Sequence, residues 1–257
     1  MNIFMMGDIH GNFKDIRRFN LYCKDNNISD PCLILLGDSG LNYYLDDRDE
    51  RFKRRVNKYG FPIFVIRGNH DARPSTLPNF HITSFFGGPA YQEPEYPNIY
   101  YALDKVSIYN ILGHKTLVVP GAYSVDKYIR LSQGYSWFED EQLNEKEIAE
   151  AWELIYHNKN HFDMVLSHTC PVQYEPTFLF SPLVDQSLVD KTMERFLGQV
   201  EHEIDYKLWC WGHYHDTLIY HNEDGQQRLM LYNKKILCFN KYVETNNIND
   251  SIYDLYE

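Results

Sequence analysis

The stretch CLILLGDSGLNYY, residues 32–44, contains a short apolar run that leads directly into Gly37 and Asp38. The same arrangement occurs at the start of the chain, where NIFMMGDIHGN, residues 2–12, leads into Gly7 and Asp8. A third apolar run, in FPIFVIRGNHD at residues 61–71, also ends in a glycine followed by polar side chains. Short apolar runs bounded by turn residues are typical of buried strands. We therefore predict three strands that each carry polar side chains at their carboxyl ends.

The segments between these strands predict helices. In residues 12–26, Phe13, Ile16 and Phe19 recur at helical spacing behind Asn12, which can cap a helix. Residues 46–60 predict a polar helix that ends at Gly60. The resulting β-α-β-α-β order indicates parallel strands joined by right-handed crossovers.

The remainder of the chain continues as a single α/β domain spanning residues 1–257, with a polar peripheral tail at 246–257. Residues 72–98 are rich in proline and glycine, and they predict a long irregular loop. Residues 217–233 predict a hairpin that turns at Asp224–Gly225, and KILCFN, residues 235–240, is predicted to close the sheet. Helices are predicted at 139–158 and 183–200, and further strands at 98–103, 106–112, 115–122, 162–168 and 206–216.

Composition excludes several classes of protein. The formal net charge is -11, so a long nucleic acid is an improbable partner, because duplex binding depends on lysine and arginine. The five cysteines are scattered and form no CxxC pair, which argues against a disulfide framework and against a cysteine zinc site. No signal segment or membrane-length apolar run is present. We expect a cytoplasmic protein without membrane contact.

Polar side chains collect at the ends of the predicted strands. Each of them alone could be an ordinary turn or surface residue. Carboxylates and imidazoles gathered at one edge of a sheet would be costly without compensation, and a pair of divalent metal ions removes that cost. Oxygen and imidazole donors without thiolates suit Mn, Fe or Zn. The residues concerned are Asp8, His10, Asp38, Asn69, His70, His168, His213 and His215.

These residues lie in a recognisable series of motifs. GDIHG, GD, GNHD, SH and GHYH occur along the chain in the order found in calcineurin-like metallophosphoesterases, from Gly7 to His215. The chain resembles a member of that family. The resemblance implies a calcineurin-like sandwich of two packed mixed β-sheets flanked by helices. It also implies two divalent metal ions at one edge, with Mn favoured and Fe, Zn, Ni or Mg as alternatives.

The resemblance also implies a role for each motif residue. Asp8, His10 and His215 would hold the first ion, and Asn69, His168 and His213 the second, with Asp38 bridging both. His70 would be the catalytic histidine, which protonates the leaving oxygen or stabilises the transition state. The implied reaction is hydrolysis of a small phosphomonoester or phosphodiester by a hydroxide that the two metals activate.

Other residues near the motifs are weaker candidates. Arg130 and Arg67 could each bind phosphate as bidentate donors, and Arg130 is the better choice of the two. Cys170 follows His168 closely, but we interpret it as loop packing because the expected chemistry needs no thiol nucleophile. Asp71 is a candidate to orient His70.

The second motif departs from one branch of the family. Serine/threonine protein phosphatases carry an aspartate and an arginine where this chain has Leu41 and Asn42, so that branch is disfavoured. It stays open as an alternative, together with a nucleotide or nucleic-acid phosphodiesterase. A catalytically silent interaction module is disfavoured because every ligand position is retained. The native substrate and the oligomeric state stay open.

Overall fold

The computed structural model describes residues 1–221 and 225–256, so Asp224 of the predicted hairpin turn lies outside the described residues. The helices are α1 (Phe13–Asp25), α2 (Asp47–Asn57), α3 (Lys127–Gln133), α4 (Glu145–His157), α5 (Thr192–Glu203) and α6 (Phe239–Thr245). The strands are β1 (Asn2–Met6), β2 (Pro31–Leu36), β3 (Ile63–Ile66), β4 (His81–Phe85), β5 (Gly88–Gln92), β6 (Ile99–Tyr101), β7 (Ser107–Ile111), β8 (His114–Val119), β9 (Met164–Ser167), β10 (Leu208–Trp211), β11 (Leu218–His221), β12 (Gln227–Met230), β13 (Lys235–Cys238) and β14 (Ile252–Asp254).

The strands form two mixed sheets in the described part of the chain. The first has the order β14-β13-β1-β2-β3-β6-β5-β4, and the second has the order β11-β12-β10-β9-β8-β7. Strands β1, β2, β3 and β6 are parallel in the first sheet, as are β8, β9, β10 and β12 in the second. The predicted fold class, two mixed sheets flanked by helices, is confirmed.

Apolar side chains on alternate strand positions build the layers of the sandwich. Ile3 and Ile34 face the space between the sheets, where they belong to the same buried cluster as Leu166 of the second sheet. Phe4, one position further along β1, lies on the opposite face and packs edge to face against Phe19 of α1. The outer face of the second sheet is covered by α4 and α5 in the same way. The period of two along each strand thus gives a helix–sheet–sheet–helix arrangement.

The N-terminal helices follow the sequence pattern closely. Asn12 caps α1, and its side chain accepts a hydrogen bond from the backbone N–H of Lys14. Helix α2 ends at Asn57, and Gly60 then turns the chain with a φ of 77°. Both crossovers therefore lie where the β-α-β-α-β order predicted them.

The prediction of an irregular loop at 72–98 is wrong. His81–Phe85 and Gly88–Gln92 form the hairpin β4–β5, which extends the first sheet beyond β6. Phe86 and Gly87 make its turn with positive φ angles of 49° and 70°. The proline content of this segment concealed the hairpin, although prolines are tolerated where a strand is only partly paired. β6 pairs with β5 at Tyr91 and Gln92 alone.

Two predicted helices begin later than expected. Helix α4 starts at Glu145 because Asn144 and Glu147 form a capping box. Helix α5 starts at Thr192, and the preceding residues from 177 to 188 make short 3₁₀ turns instead. Helix α3 was not predicted. Its apolar residues Tyr128, Ile129 and Leu131 are all exposed, so the helix has no buried face whose pattern would reveal it.

The C-terminal segment lies at the edge of the first sheet. Strand β14 pairs antiparallel with β13, so the sheet does not close at KILCFN as predicted. Ile248 is fully buried, and the backbone N–H of Cys238 donates to the carbonyl of Ser251 at 2.8 Å. No helix in the described residues is long and apolar enough to cross a bilayer.

Candidate metal centre

The parallel strands bring the motif residues together at one edge of the sandwich. Asp8 follows β1, Asp38 follows β2 and Asn69 follows β3, while His168 follows β9 and His213 follows β10. The carboxyl ends of parallel strands meet at the same edge. The seven residues predicted to ligate metal, together called the candidate metal centre, are Asp8, His10, Asp38, Asn69, His168, His213 and His215.

One group of donors contains Asp8, His10 and His215, which can offer ligand atoms within 4.8 Å of one another. The Nε2 atoms of His10 and His215 are 2.8 Å apart, and the two rings meet edge to face. The carboxylate of Asp8 accepts a hydrogen bond from the backbone N–H of His213 at 2.8 Å. This bond ties the end of β1 to the segment that carries His215.

A second group of donors surrounds His168. Its Nδ1 lies 2.8 Å from the carbonyl of Leu36, and its Nε2 lies 2.8 Å from Oδ1 of Asn69. A hydrogen bond from Nδ1 to that carbonyl leaves Nε2 as the free donor atom for a metal. The ring of His213 packs against His168 with centroids 5.0 Å apart.

The amide of Asn69 is oriented by neighbouring polar groups. Its Nδ2 donates to Oγ of Ser124 at 2.9 Å, which leaves Oδ1 facing His168. Ser124 in turn is held by Glu141, a buried carboxylate that accepts from both the backbone N–H and the hydroxyl of Ser124. Sequence reasoning missed Ser124 and Glu141, because a single serine in a loop carries no distinguishing signal.

Asp38 lies between the two groups. Its Oδ2 is 3.9 Å from Nε2 of His10, and its Oδ1 is 3.5 Å from Nε2 of His168. Oδ1 also accepts a hydrogen bond from the backbone N–H of His70 at 2.8 Å. This position is the one expected of a carboxylate that bridges two ions.

The backbone around the candidate metal centre adopts left-handed conformations. Non-glycine residues rarely occupy this region, and they cluster at functional sites when they do. Gly37 also has a left-handed φ, of 99°, and a Cβ added there would overlap the imidazole of His168. The residues of the candidate metal centre with left-handed φ angles are His10 (44°), Asp38 (46°), His213 (71°) and His215 (57°).

Electrostatics favour a bound cation at this edge. Burial raises the pKa of Asp8 well above its usual value, and the neighbouring Asp38 carboxylate adds to the effect. Burial also acts to raise the pKa of Asp38, but the imidazoles of His168, His70 and His10 hold it below its usual range. In the described residues, no lysine or arginine forms an ion pair with Asp8 or Asp38. The donor set of carboxylates, imidazoles and an amide fits divalent Mn, Fe or Zn.

Arg130 is brought to the same edge by α3. Its Nη2 lies 3.0 Å from Nε2 of His70, and its Nη1 donates to the hydroxyl of Tyr43 at 2.9 Å. Its Nε donates to both carboxylate oxygens of Asp126 at 2.8 Å. Burial lowers the pKa of His70 to about 4, with the cation of Arg130 contributing. Tyr43 and Asp126 were not singled out from the sequence.

The other weaker candidates lie elsewhere. Arg67 is buried, and its Nη1 donates to the carbonyl of Glu141 at 2.8 Å, away from His70. Asp71 does not face His70 but accepts hydrogen bonds from the backbone N–H groups of Ser39, Gly40 and Gly68. Asp71 therefore braces the loop that follows Asp38.

Cys170 is fully buried, and burial raises the pKa of its thiol well above the usual value. A thiol with a raised pKa is a poor nucleophile.

Two cavities flank His70. One, of about 230 Å³, is lined by His10, Gly40, Tyr43, Tyr44 and Arg130 among others. The other, of about 280 Å³, extends from Asn69 and His213 toward the 3₁₀ turns at 177–188. Neither is lined by residues 72–98, which form the hairpin at the far edge of the first sheet.

Comparison with known proteins agrees with this geometry. The family model described as calcineurin-like phosphoesterase matches residues 1–217. The chain belongs to the calcineurin-like phosphoesterases. The resemblance inferred from its motifs is thereby confirmed, and the protein is a metallophosphoesterase, a hydrolase of phosphate esters. A search of curated proteins finds no significant match.

Two similar solved structures are distant from this chain in sequence. The protein TT1561 of Thermus thermophilus has 12% identity and a TM-score of 0.56, and the match covers 99% of this chain and 98% of that one. A dimetal phosphatase from Danio rerio has 12% identity and a TM-score of 0.48, over 92% of this chain and 94% of that one. At such identities the likeness to TT1561 shows the fold alone.

Two positions of the second motif distinguish this phosphoesterase from the protein phosphatases, Leu41 and Asn42, and neither lines the cavities beside His70. Leu41 and Asn42 are both buried, and the carbonyl of Asn42 accepts a hydrogen bond from the backbone N–H of Ala72. Neither side chain reaches the cavity that contains Arg130. The cation near His70 comes instead from α3.

Proposed function

We propose that this calcineurin-like phosphoesterase hydrolyses a small phosphomonoester or phosphodiester with two divalent metal ions at the candidate metal centre. The observation that carries the proposal is the position of Asp38, with one carboxylate oxygen toward His10 and the other toward His168. Asp8, His10 and His215 would hold one ion, and Asn69, His168 and His213 the other. Ions bound there would lower the pKa of a water molecule and neutralise charge on the phosphoryl oxygens.

The protein's own residues then position the phosphoryl group. The guanidinium of Arg130 offers donors to phosphate oxygens beside His70, and Asp126 and Tyr43 hold it in place. An arginine fixed in this way can bind phosphate in a bidentate manner. His70 lies between Arg130 and Asp38, where it can contact the leaving oxygen or stabilise charge in the transition state.

The cavities, the net charge and the donor set also indicate the size of the substrate and the metal. The two cavities beside His70, of about 230 and 280 Å³, suit a compact organic phosphate. The net charge of -11 disfavours a long nucleic acid. Mn²⁺ is our first choice because carboxylate, imidazole and amide donors suit it. The free state of all five cysteines is compatible with a cytoplasmic location.

The test is hydrolysis by purified protein that has been stripped of metal and resupplied with Mn²⁺. p-Nitrophenyl phosphate and bis-p-nitrophenyl phosphate would be compared with nucleotides, cyclic nucleotides and a phosphopeptide. We expect turnover that a chelator abolishes and that His168→Ala removes, while His157→Ala, at an exposed position of α4, leaves it unchanged. Unchanged turnover in His168→Ala would overturn the site assignment, and a strong preference for the phosphopeptide would favour the protein-phosphatase alternative.

A further inference from the structure

The larger cavity beside the candidate metal centre has one polar end and one mainly apolar end. One end is formed by Asp38, Asn69 and His70, where the phosphoryl group is expected. The other end is built by the loop before α3 and by the 3₁₀ turns that precede α5. Its apolar lining consists of Tyr123, Val125, Leu179, Phe180, Val184 and Val189. The apolar end of this cavity of about 280 Å³, called the chamber below, adjoins the expected phosphate site and is suited to the alcohol part of an organic phosphate.

The charged side chains that line this chamber are all acidic. They comprise Asp126, Glu175, Asp190 and Glu194, with no lysine or arginine among the described lining residues. Three of them already have partners. Asp126 binds Arg130, Glu175 accepts from Lys191 at 2.7 Å, and Asp190 accepts from Thr192 and Gln142. The described lining therefore offers no lysine or arginine to a second anionic group on the substrate.

Glu194 differs from the other three. Only 4% of the residue is exposed, and its Oε1 accepts a hydrogen bond from the hydroxyl of Thr169 at 2.7 Å. Its Oε2 is buried and has no hydrogen-bond partner within the described residues. A buried carboxylate oxygen without a partner is costly. Glu194 lines the chamber, and its Oε2 is the carboxylate oxygen that has no hydrogen bond in the described residues.

We propose that the chamber binds the alcohol part of the substrate and that Oε2 of Glu194 accepts a hydrogen bond from a nitrogen donor on it. The substrate class is then a phosphate ester of a compact, mostly apolar alcohol that carries an amine or an amino-substituted ring, without a further anionic group. This inference rests on the proposed phosphoesterase function and deepens it. An alkyl ammonium group and the exocyclic amine of a nucleobase can each supply the required N–H donor. The experiment below distinguishes between them.

The test uses matched pairs of substrates that differ only in the donor. The ammonium pair is 4-(2-aminoethyl)phenyl phosphate and 4-ethylphenyl phosphate. The nucleobase pair is adenosine 5′-monophosphate and purine riboside 5′-monophosphate. With Mn²⁺ present, kcat/KM should be about tenfold to a hundredfold higher for the donor-bearing member of one pair, as expected for a hydrogen bond to a buried carboxylate. The pair that responds identifies the kind of nitrogen.

Two variants assign the preference to Glu194. Glu194→Leu removes the acceptor at nearly constant size and should reduce the preference to within about twofold, chiefly by raising KM for the donor-bearing substrate. Glu203→Gln, an exposed position on the same helix, is the matched control and should keep the wild-type preference. Thermal unfolding checks that Glu194→Leu is folded. A preference that survives in folded Glu194→Leu would overturn the role of Glu194.

The wild-type protein tests the inference even if that variant does not fold. Equal kcat/KM within both pairs, with p-nitrophenyl phosphate still hydrolysed, would overturn the chamber assignment and leave the phosphoesterase function intact. If no phosphate ester is hydrolysed, the proposed function fails, and calorimetry on metal-free protein decides the chamber separately. Tyramine or adenosine should then bind at least tenfold more tightly than 4-ethylphenol or purine riboside. Equal affinity within both of these pairs would overturn the inference.

Discussion

Nη2 of Arg130 lies 3.0 Å from Nε2 of His70, although 60 positions separate the two residues in the sequence. His70 comes from the third motif at the end of β3, whereas Arg130 comes from α3, a short helix on the surface. The loop after Asp38 does not place a cation beside His70, because Leu41 and Asn42 are packed inside the fold. α3 supplies this cation from a different part of the chain.

Replacing Arg130 should affect chemistry on the phosphoryl group strongly. Arg130→Ala removes a charged donor that two neighbours hold in place, and loss of one such donor costs about 100-fold to 1,000-fold in rate. We expect kcat/KM for p-nitrophenyl phosphate to fall by about that factor, with metal content unchanged. Arg51→Ala, at an exposed position of α2, serves as the control. A loss below threefold in Arg130→Ala would exclude Arg130 from the phosphate site.

Tyr43 and Tyr44 form a matched pair of neighbours for a test of the Arg130 contact. The hydroxyl of Tyr43 accepts from Arg130, whereas the ring of Tyr44 lies under the guanidinium of Arg48. Tyr43→Phe loses one hydrogen bond, so we expect kcat/KM to fall about threefold to tenfold. Tyr44→Phe leaves every contact of Arg130 in place, so it should reduce kcat/KM less than Tyr43→Phe does. Equal effects in the two variants would show that the contact with Arg130 has no functional role.

Ser124 is expected to set metal affinity through Asn69. Ser124→Ala removes the hydrogen bond from Nδ2 of Asn69 to Oγ of Ser124, so the amide is held less firmly in its orientation toward His168. Loss of a group that orients a metal ligand typically weakens binding about tenfold to a hundredfold. Calorimetric titration of metal-free protein with Mn²⁺ should show this loss, and Ser132→Ala on the exposed face of α3 should not. Unchanged affinity in Ser124→Ala would contradict the role assigned to Ser124.

Glu194 should make stability depend on pH. Burial raises its pKa in the folded protein to about 7, above the ordinary value of 4.5. The folded state therefore binds the proton more tightly than the unfolded state. The free energy of unfolding of the wild type minus that of Glu194→Gln should then fall as pH rises from 4.5 to 7, and it should stay constant above pH 7. The total change is about 3 kcal/mol.

Urea unfolding of the metal-free proteins between pH 4.5 and 8 measures this difference. Glu203→Gln provides the control, since Glu203 is exposed, and its difference from wild type should not change with pH. A pH-independent difference for Glu194→Gln would show that Glu194 is not an unpartnered buried acid.

The sequence predicts which residues lie at the carboxyl ends of the strands far better than it predicts the loops, short helices and cavities that surround them. Asp8, Asp38 and Asn69 follow parallel strands of one sheet, and such strands place these residues at one edge without further information. His168 follows β9 of the second sheet, so its approach depends on the packing of the two sheets. The α/β alternation follows from the same runs, whereas the sandwich of two mixed sheets is implied by the resemblance to the family.

The surroundings of the candidate metal centre depend on contacts that leave no local pattern. α3 buries no side chain, so nothing in KYIRLSQ, residues 127–133, marks it as a helix or directs Arg130 toward His70. Asp71, a candidate to orient His70, instead accepts hydrogen bonds from the backbone N–H groups of Ser39 and Gly40, residues distant in sequence. Glu194 is indistinguishable in sequence from the exposed acids of its helix until its burial is known.

The most direct test of the two-metal account is metal content together with turnover in Asp38→Asn. After dialysis against Mn²⁺ and removal of free metal, elemental analysis should find two ions per wild-type chain and per Asp47→Asn chain, an exposed control in α2. Asp38→Asn should retain at most one ion and lose turnover of p-nitrophenyl phosphate by about 1,000-fold or more. Two retained ions with wild-type turnover in Asp38→Asn would contradict the account.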